Sequence, residues 1–220
     1  MIDKSFRRDQ RVDRLLDTIS VEPLRPEHIE DIAKLHYRLL SWSFNGQFGE
    51  GHIIELYKAL SQSAYFFGYV YYHNEQLIGF VTATTNNEDT RSNILNIYYK
   101  KLFKLLLIFL RHPGFLLAAV ESGYLIPKIF RRYGTRAEWL TFVTDTTVSS
   151  LGPLIALRLI DAVRTRFLSE GVDCYLAQGY KRNPPAMKMY EMLDWRIIAT
   201  FPMHNIYCYS TGVEAVNSTK

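Results

Sequence analysis

The sequence predicts an α/β fold, a mixed sheet with helices on its faces. Two observations predict it. Runs rich in β-branched and aromatic residues alternate with amphipathic helical runs. The last third of the chain reads strand, helix, strand, helix and then two closing strands. No internal repeat is evident. The chain has 220 residues, 48% hydrophobic and 22% charged, which suits one globular domain.

Residues 1–18 are polar and form an extension. The domain itself spans 19–211, and 212–220 is a polar tail. Ile19 to Leu24, "ISVEPL", reads as a strand. A helix follows, with Pro26 in its first turn and Glu27 and Glu30 at its positive end. Ile29, Ile32, Leu35 and Leu39 make its apolar stripe. "SWSFNGQFG" is a loop, and "EGHIIELYKALSQS" returns to helical spacing. Two β-rich runs then flank His73-Asn74-Glu75-Gln76, an antiparallel hairpin. Gly79 inside its second strand indicates a bulge or a close backbone approach.

Residues 86–136 read as two or three helices, broken at His112-Pro113-Gly114 and at Pro127. Neither apolar run approaches the ~18–20 residues of a membrane span. Lysines and arginines cluster here, among them Lys100, Lys101, Lys104, Arg111, Lys128, Arg131 and Arg132. Ala137 to Asp145 is a strand, "TTVSSLGP" a loop, and "LIALRLIDAVRTRFLSEG" a helix closed by Gly171. "VDCYLAQ" is a strand, and "RNPPAMKMYEMLDW" begins as a proline-led helix. "WRIIATF" and "MHNIYCYS" close the sheet.

A net charge of +4 and a pI near 9.0 mildly favour anionic partners. No recognition-helix or zinc-finger pattern supports a nucleic-acid partner. Cys174 and Cys208 give neither a disulfide framework nor metal spacing, so buried free thiols are expected. The charged N-terminus does not read as a signal peptide, and a cytoplasmic location is expected. The sequon Asn217-Ser218-Thr219 is then incidental. No Ser-His-Asp or Cys-His arrangement and no metal site is legible.

Trp139 to Phe201 resembles the GCN5-related N-acetyltransferase (GNAT) superfamily. That pattern runs strand, pyrophosphate loop, long helix, strand, then Asn-x-x-Ala-x-x-x-Tyr. "NPPAMKMY" supplies Asn183, Ala186 and Tyr190 in register, and Leu193 follows. Asp194-Trp195 stands where Gly-Phe is usual. The opening strand, two helices and hairpin match as well. The resemblance implies a mostly antiparallel sheet with a helical insert, 86–136, between the third and fourth strands. The pyrophosphate loop departs from the pattern. Anchored on the helix, Leu151 replaces a basic or amide residue and Leu154 the central glycine. Anchored on Gly152 instead, Ser149 comes first and Leu154 last.

The resemblance implies acetyl-CoA, or another short acyl-CoA, as donor and a small-molecule amine as acceptor. Amino sugars are among the candidate acceptors. Transfer would go by direct attack on the thioester. Tyr190 is the implied proton donor to the leaving thiolate, because a phenol is protonated at neutral pH. Asn183 would touch the pantetheine arm or cap its helix. Phe142, Val143 and Thr144 would bind pantetheine through the main chain, and one amide could polarise the carbonyl. Ser149, Ser150, Leu151, Gly152, Pro153, Leu154, Ile155 and Ala156 would hold the pyrophosphate at a helix N-terminus. For the base, Glu50 and His52 are the candidates, with Glu138 and Asp145 as weaker ones. The alternative function is a non-catalytic or altered member of the fold that binds a ligand or a protein.

The insert is similar in composition to basic, hydrophobic helices of bacterial polysaccharide-pathway acetyltransferases. Four roles are open for it: a lid on the acceptor site, a peripheral membrane contact, a homodimer contact, or extra core.

Overall fold

The structure is a computed structural model that describes residues 19–148 and 151–210. Ser149, Ser150, the N-terminal extension and the C-terminal tail lie outside the described residues.

One seven-stranded sheet organises the chain. Its strands are β1 (Glu22–Pro23), β2 (Phe66–His73), β3 (Gln76–Thr84), β4 (Glu138–Thr144), β5 (Cys174–Tyr180), β6 (Arg196–Thr200) and β7 (His204–Ser210). They lie in the order β1-β2-β3-β4-β5-β7-β6. Every neighbouring pair is antiparallel except β4 and β5. The mixed, mostly antiparallel sheet expected from the sequence is therefore present. The first strand is shorter than expected. It covers Glu22–Pro23 on the sheet edge, and one further bond, from the Leu24 N–H to Gly68 O at 2.9 Å, continues the contact with β2.

The helices are α1 (Ile29–Leu40), α2 (Glu50–Leu60), α3 (Asn87–Tyr99), α4 (Leu102–Arg111), α5 (Pro113–Val120), α6 (Ile126–Arg132), α7 (Gly152–Ser169) and α8 (Pro184–Met192). Pro26 opens a short 3-10 turn, Pro26–His28, that leads into α1. The apolar faces of α1 and α2 bury Ile32, Leu35, Ile53 and Leu56 against Val70, Phe80 and Val143 of the sheet. α7 and α8 cover the opposite face. There Ile155, Leu159 and Val163 meet Ile78, Val81, Trp139 and Tyr190. Gly171 ends α7 at φ +71°, a left-handed conformation that glycine takes without strain.

Gly79 marks the close approach that the sequence indicated. A Cβ there would lie 3.1 Å from both Leu159 Cδ1 and Thr144 Cγ2, so α7 packs directly on the backbone. The ladder shift of the hairpin lies elsewhere, between Tyr71 and Tyr72. Cys174 and Cys208 are free thiols, with Sγ atoms 3.5 Å apart on adjacent strands.

Four helices, α3 to α6, connect β3 to β4. The break at His112 is present. Pro127 breaks nothing: it lies in the first turn of α6, just after the π-helical turn Glu121–Leu125. The wider turn accommodates a residue that has no N–H to donate. Ile126 and Phe130 anchor this end on Leu176 and Ile206 of the sheet. An aromatic cluster of Phe44, Phe48, Tyr98, Phe109 and Phe115 anchors the other end on the loop before α2.

Candidate active site

The site begins with a defect in the sheet. In the β3–β4 ladder Thr82 faces Thr141 and Ala83 faces Trp139, which leaves Leu140 as an extra residue. A bulge bends its strand and adds local twist. β4 pairs with β5 only at Glu138–Leu176 and Trp139–Ala177. Beyond the bulge the two parallel strands part. From residue 140 onward one edge of β4 pairs with β3, and the other faces a gap.

A cavity of about 300 Å³ occupies this gap. Thr141, Phe142, Gln178 and Tyr180 form its floor, and Asn183, Ala186, Met189 and Tyr190 of α8 one wall. Trp42 to Asn45 form the facing wall. Phe115, Ala118, Ala119 and Ser122 roof it. The helical segment thus walls the groove. Trp42 and Phe115 both stack on Tyr180, at 6.3 Å between ring centroids. The Tyr180 hydroxyl is buried with no hydrogen-bond partner among the described residues. An unpaired buried hydroxyl costs ~1–3 kcal/mol, which a polar ligand atom in the groove would offset.

Tyr190 lies at the groove wall, as the sequence motif requires. Its ring stacks on Tyr207 at 4.6 Å and tilts against Trp195 at 5.1 Å. Burial pushes its phenol above the ordinary value, so it stays protonated at neutral pH. Packing residue and groove residue are therefore one residue. Asn183 caps α8, its Oδ1 accepting from the Ala186 N–H at 3.3 Å, and also lines the groove. Asp194 adopts φ +57°, the conformation that a glycine usually supplies at this position. Trp195 fills the aromatic core with Trp139 and Tyr175. The replacement of Gly-Phe is thus accommodated locally.

Phe142 lines the groove, whereas Val143 points to the core beneath α1 and α2. Thr144 lies opposite Gly79. At the start of α7, Leu151 and Leu154 pack against the main core and Ile155 is fully buried. Leu154 is thus half-buried against the core. Gly152 must stay small, because a Cβ would lie 3.0 Å from Thr146 Cγ2. Pro153 is exposed and Ala156 half-buried in this first turn. Asp145 is buried beside it. It accepts from the Thr147 N–H at 2.9 Å and from its hydroxyl at 2.5 Å, and pairs with Arg38 at 2.7 Å. Burial opposes its ionisation, but these bonds and Arg38 outweigh burial and lower its pKa. Asp145 holds the loop rather than a proton.

The two expected bases are not brought to the groove. Glu50 faces Arg38 and the β2–β3 turn on another surface. His52 stacks on Phe48 at 4.4 Å, with Nδ1 3.3 Å from Lys101 Nζ. Burial and then the Lys101 charge lower its pKa to about 4. Both effects oppose proton uptake, and His52 sits in the seam between α2 and the helical segment. Glu138 is buried, and burial raises its pKa; Gln178 Nε2 donates to it at 2.6 Å. It lines the neighbouring cavity rather than this one.

The structure offers a pair that the sequence reading missed. His204 Nδ1 lies 2.8 Å from Glu121 Oε2, and both side chains are buried. The Met203 N–H donates to the same carboxylate at 3.0 and 3.2 Å. His204 lines the groove. Burial lowers its pKa, and Glu121 opposes that without reversing it. The imidazole is therefore neutral at neutral pH. With Nδ1–H donated to Glu121, Nε2 carries the free lone pair. One sequence signal existed: Glu121 is the sole acid between Lys100 and Arg136.

No protein-family model matches the chain, and no curated protein matches it in sequence. Solved structures do match. A polyamine N-acetyltransferase from Drosophila melanogaster is 13% identical, with a TM-score of 0.60 over 89% of this chain and 100% of its own. The chain has the GNAT fold. A probable acetyltransferase from Staphylococcus epidermidis has a TM-score of 0.55 at 10% identity, over 88% and 99%. PaiA N-acetyltransferase from Thermoplasma acidophilum, solved with coenzyme A, has 0.53 at 10% identity, over 87% and 99%.

Proposed function

We propose that the protein is an acyl-CoA-dependent N-acyltransferase that moves an acetyl or other short acyl group to a primary amine of a small molecule, such as a polyamine or an amino sugar. The observation that carries this reading is the parting of β4 from β5 with Tyr190 and His204 both on the groove. Structures with the same fold are acetyltransferases, one of them solved with coenzyme A.

Bound acyl-CoA supplies a thioester that an amine attacks directly, giving an amide and a thiol. The free edge of β4 offers main-chain groups to the pantetheine arm, beside Asn183 and Phe142. Residues 151 to 156, at the N-terminus of α7, would hold the pyrophosphate. His204 takes a proton from the acceptor ammonium or the attacking amine at Nε2. Glu121 fixes its tautomer and stabilises the imidazolium that results. Tyr190 gives its hydroxyl proton to the departing sulfur. The groove floor, Tyr180 and Gln178, orients the acceptor.

The test is thiol release from acetyl-CoA against polyamines, amino sugars and peptide amines. Turnover with at least one class is expected, and Tyr190→Phe lowers kcat while keeping CoA affinity. Acetyl-CoA binding without turnover of any amine would favour a non-catalytic ligand-binding role. Unchanged turnover in Tyr190→Phe would leave this residue as packing alone.

A further inference from the structure

The helical segment has a second face. On α4, Leu102, Phe103, Leu106, Leu107 and Leu110 all point to solvent, with Phe103 76% and Leu110 71% exposed. Their spacing puts them on one helical stripe. Leu116, Leu117 and Val120 repeat the pattern on α5, while Phe115 and Ala118 of the same helix line the groove. A soluble domain normally buries such stripes. No single helix among the described residues is long and apolar enough to cross a membrane. The chain bends by 116° between α4 and the helical run Pro113–Arg132.

Charge says what covers this face. Lys100 immediately precedes α4 and Arg111 ends it, and Lys128, Arg131 and Arg132 lie on α6. The sole acid from Lys100 to Arg136, Glu121, is fully buried against His204. Every exposed charged side chain from Lys100 to Arg136 is therefore positive. Exposed Tyr99 and Tyr124 add amphipathic rings beside the leucines. A two-fold contact with a second copy would set this cationic rim against itself. An anionic bilayer satisfies both features: acyl chains take the leucines, and lipid headgroups take the lysines and arginines.

We propose that α4 and α5 seat the protein on an anionic lipid surface, with the apolar stripes in the headgroup boundary. Because α5 serves both faces, the groove then lies about one helix diameter, ~10 Å, from the lipid. This seat does not depend on acyl transfer.

The experiment is flotation of the full chain with vesicles of phosphatidylcholine alone and of phosphatidylcholine with about one-third phosphatidylglycerol, at low and high salt. The anionic vesicles should hold the protein at least ~10-fold more tightly, and salt should weaken the difference, since each basic residue near the surface contributes appreciably. The variant Phe103→Ser/Leu110→Ser changes exposed residues, so it should fold with an unchanged melting temperature and lose flotation. Absence of flotation with anionic lipid overturns the proposal, and so does flotation that survives the variant. A dimer in sedimentation that the variant dissociates, without lipid binding, would assign the face to a second copy instead.

Discussion

His52 and His204 lie at two seams of the same helical segment, and both are buried. Burial lowers the pKa of each. Their partners differ in sign. At the α2 seam a lysine faces His52, and at the β7 seam a glutamate holds His204. Their access differs too: His204 lines the groove and His52 does not. A buried neutral imidazole becomes a base only where something can stabilise its charged form and a substrate can reach it. Residue type alone does not decide this. The sequence offered His52 because a histidine ordinarily titrates near neutral pH.

The comparison breaks most directly at His204. His204→Gln should lower kcat by ~10²–10³-fold, the usual range for a lost acid-base group, with CoA affinity unchanged. His52→Gln should leave kcat within about twofold, because it lies outside the groove. Equal losses in steady-state kinetics would erase the distinction.

Glu121→Gln comes next, at a loss of ~10-fold or more, since an amide can donate to Nδ1 and hold the wrong tautomer. The pH dependence carries a sign. The acid limb of kcat/KM should lie below the ordinary histidine value, because burial lowers the His204 pKa. Glu121 raises that pKa, so its removal should move the limb to still lower pH. A limb that stays in place would show that His204 does not titrate in the reaction.

The seam at His52 should show in stability rather than in rate. Burial holds the pKa of His36 and His52 at about 4, below the ordinary histidine value of about 6.5. Between those values the unfolded chain binds more protons. Stability is therefore full above pH 6.5 and falls as the pH drops toward 4. Urea denaturation across that window should show His52→Phe shrinking the loss by about 1–2 kcal/mol. The smallest effect lies far from both seams. Asp194→Gly should raise stability by about 0.5–1 kcal/mol, measured by thermal melting, because the left-handed conformation costs an aspartate and suits glycine.

What the sequence revealed follows from the range of its contacts. The order of elements and the hairpin turn depend on local periodicity. The Asn183-to-Tyr190 motif lies within one helix and its cap. Long-range features were hidden. The Leu140 bulge appears only when β4 is laid against β3, since nothing in "AEWLTFVTD" marks an extra residue. Glu121 and His204 are 83 residues apart and meet only because the helical segment folds back over β7. Leu154 stands where the resemblance expects a glycine, and its packing against the core depends on residues far along the chain. Pro127 was misjudged because the π-helical turn before it is a product of that same packing.

The central claim is that the gap between β4 and β5 holds acyl-CoA. Calorimetric titration of acetyl-CoA into the protein and into Ala186→Trp, which fills the groove wall beside Tyr190, tests it most directly. One site of micromolar affinity is expected in the parent chain, with binding lost in the variant. No heat at millimolar acetyl-CoA, or equal binding by the variant, would contradict it.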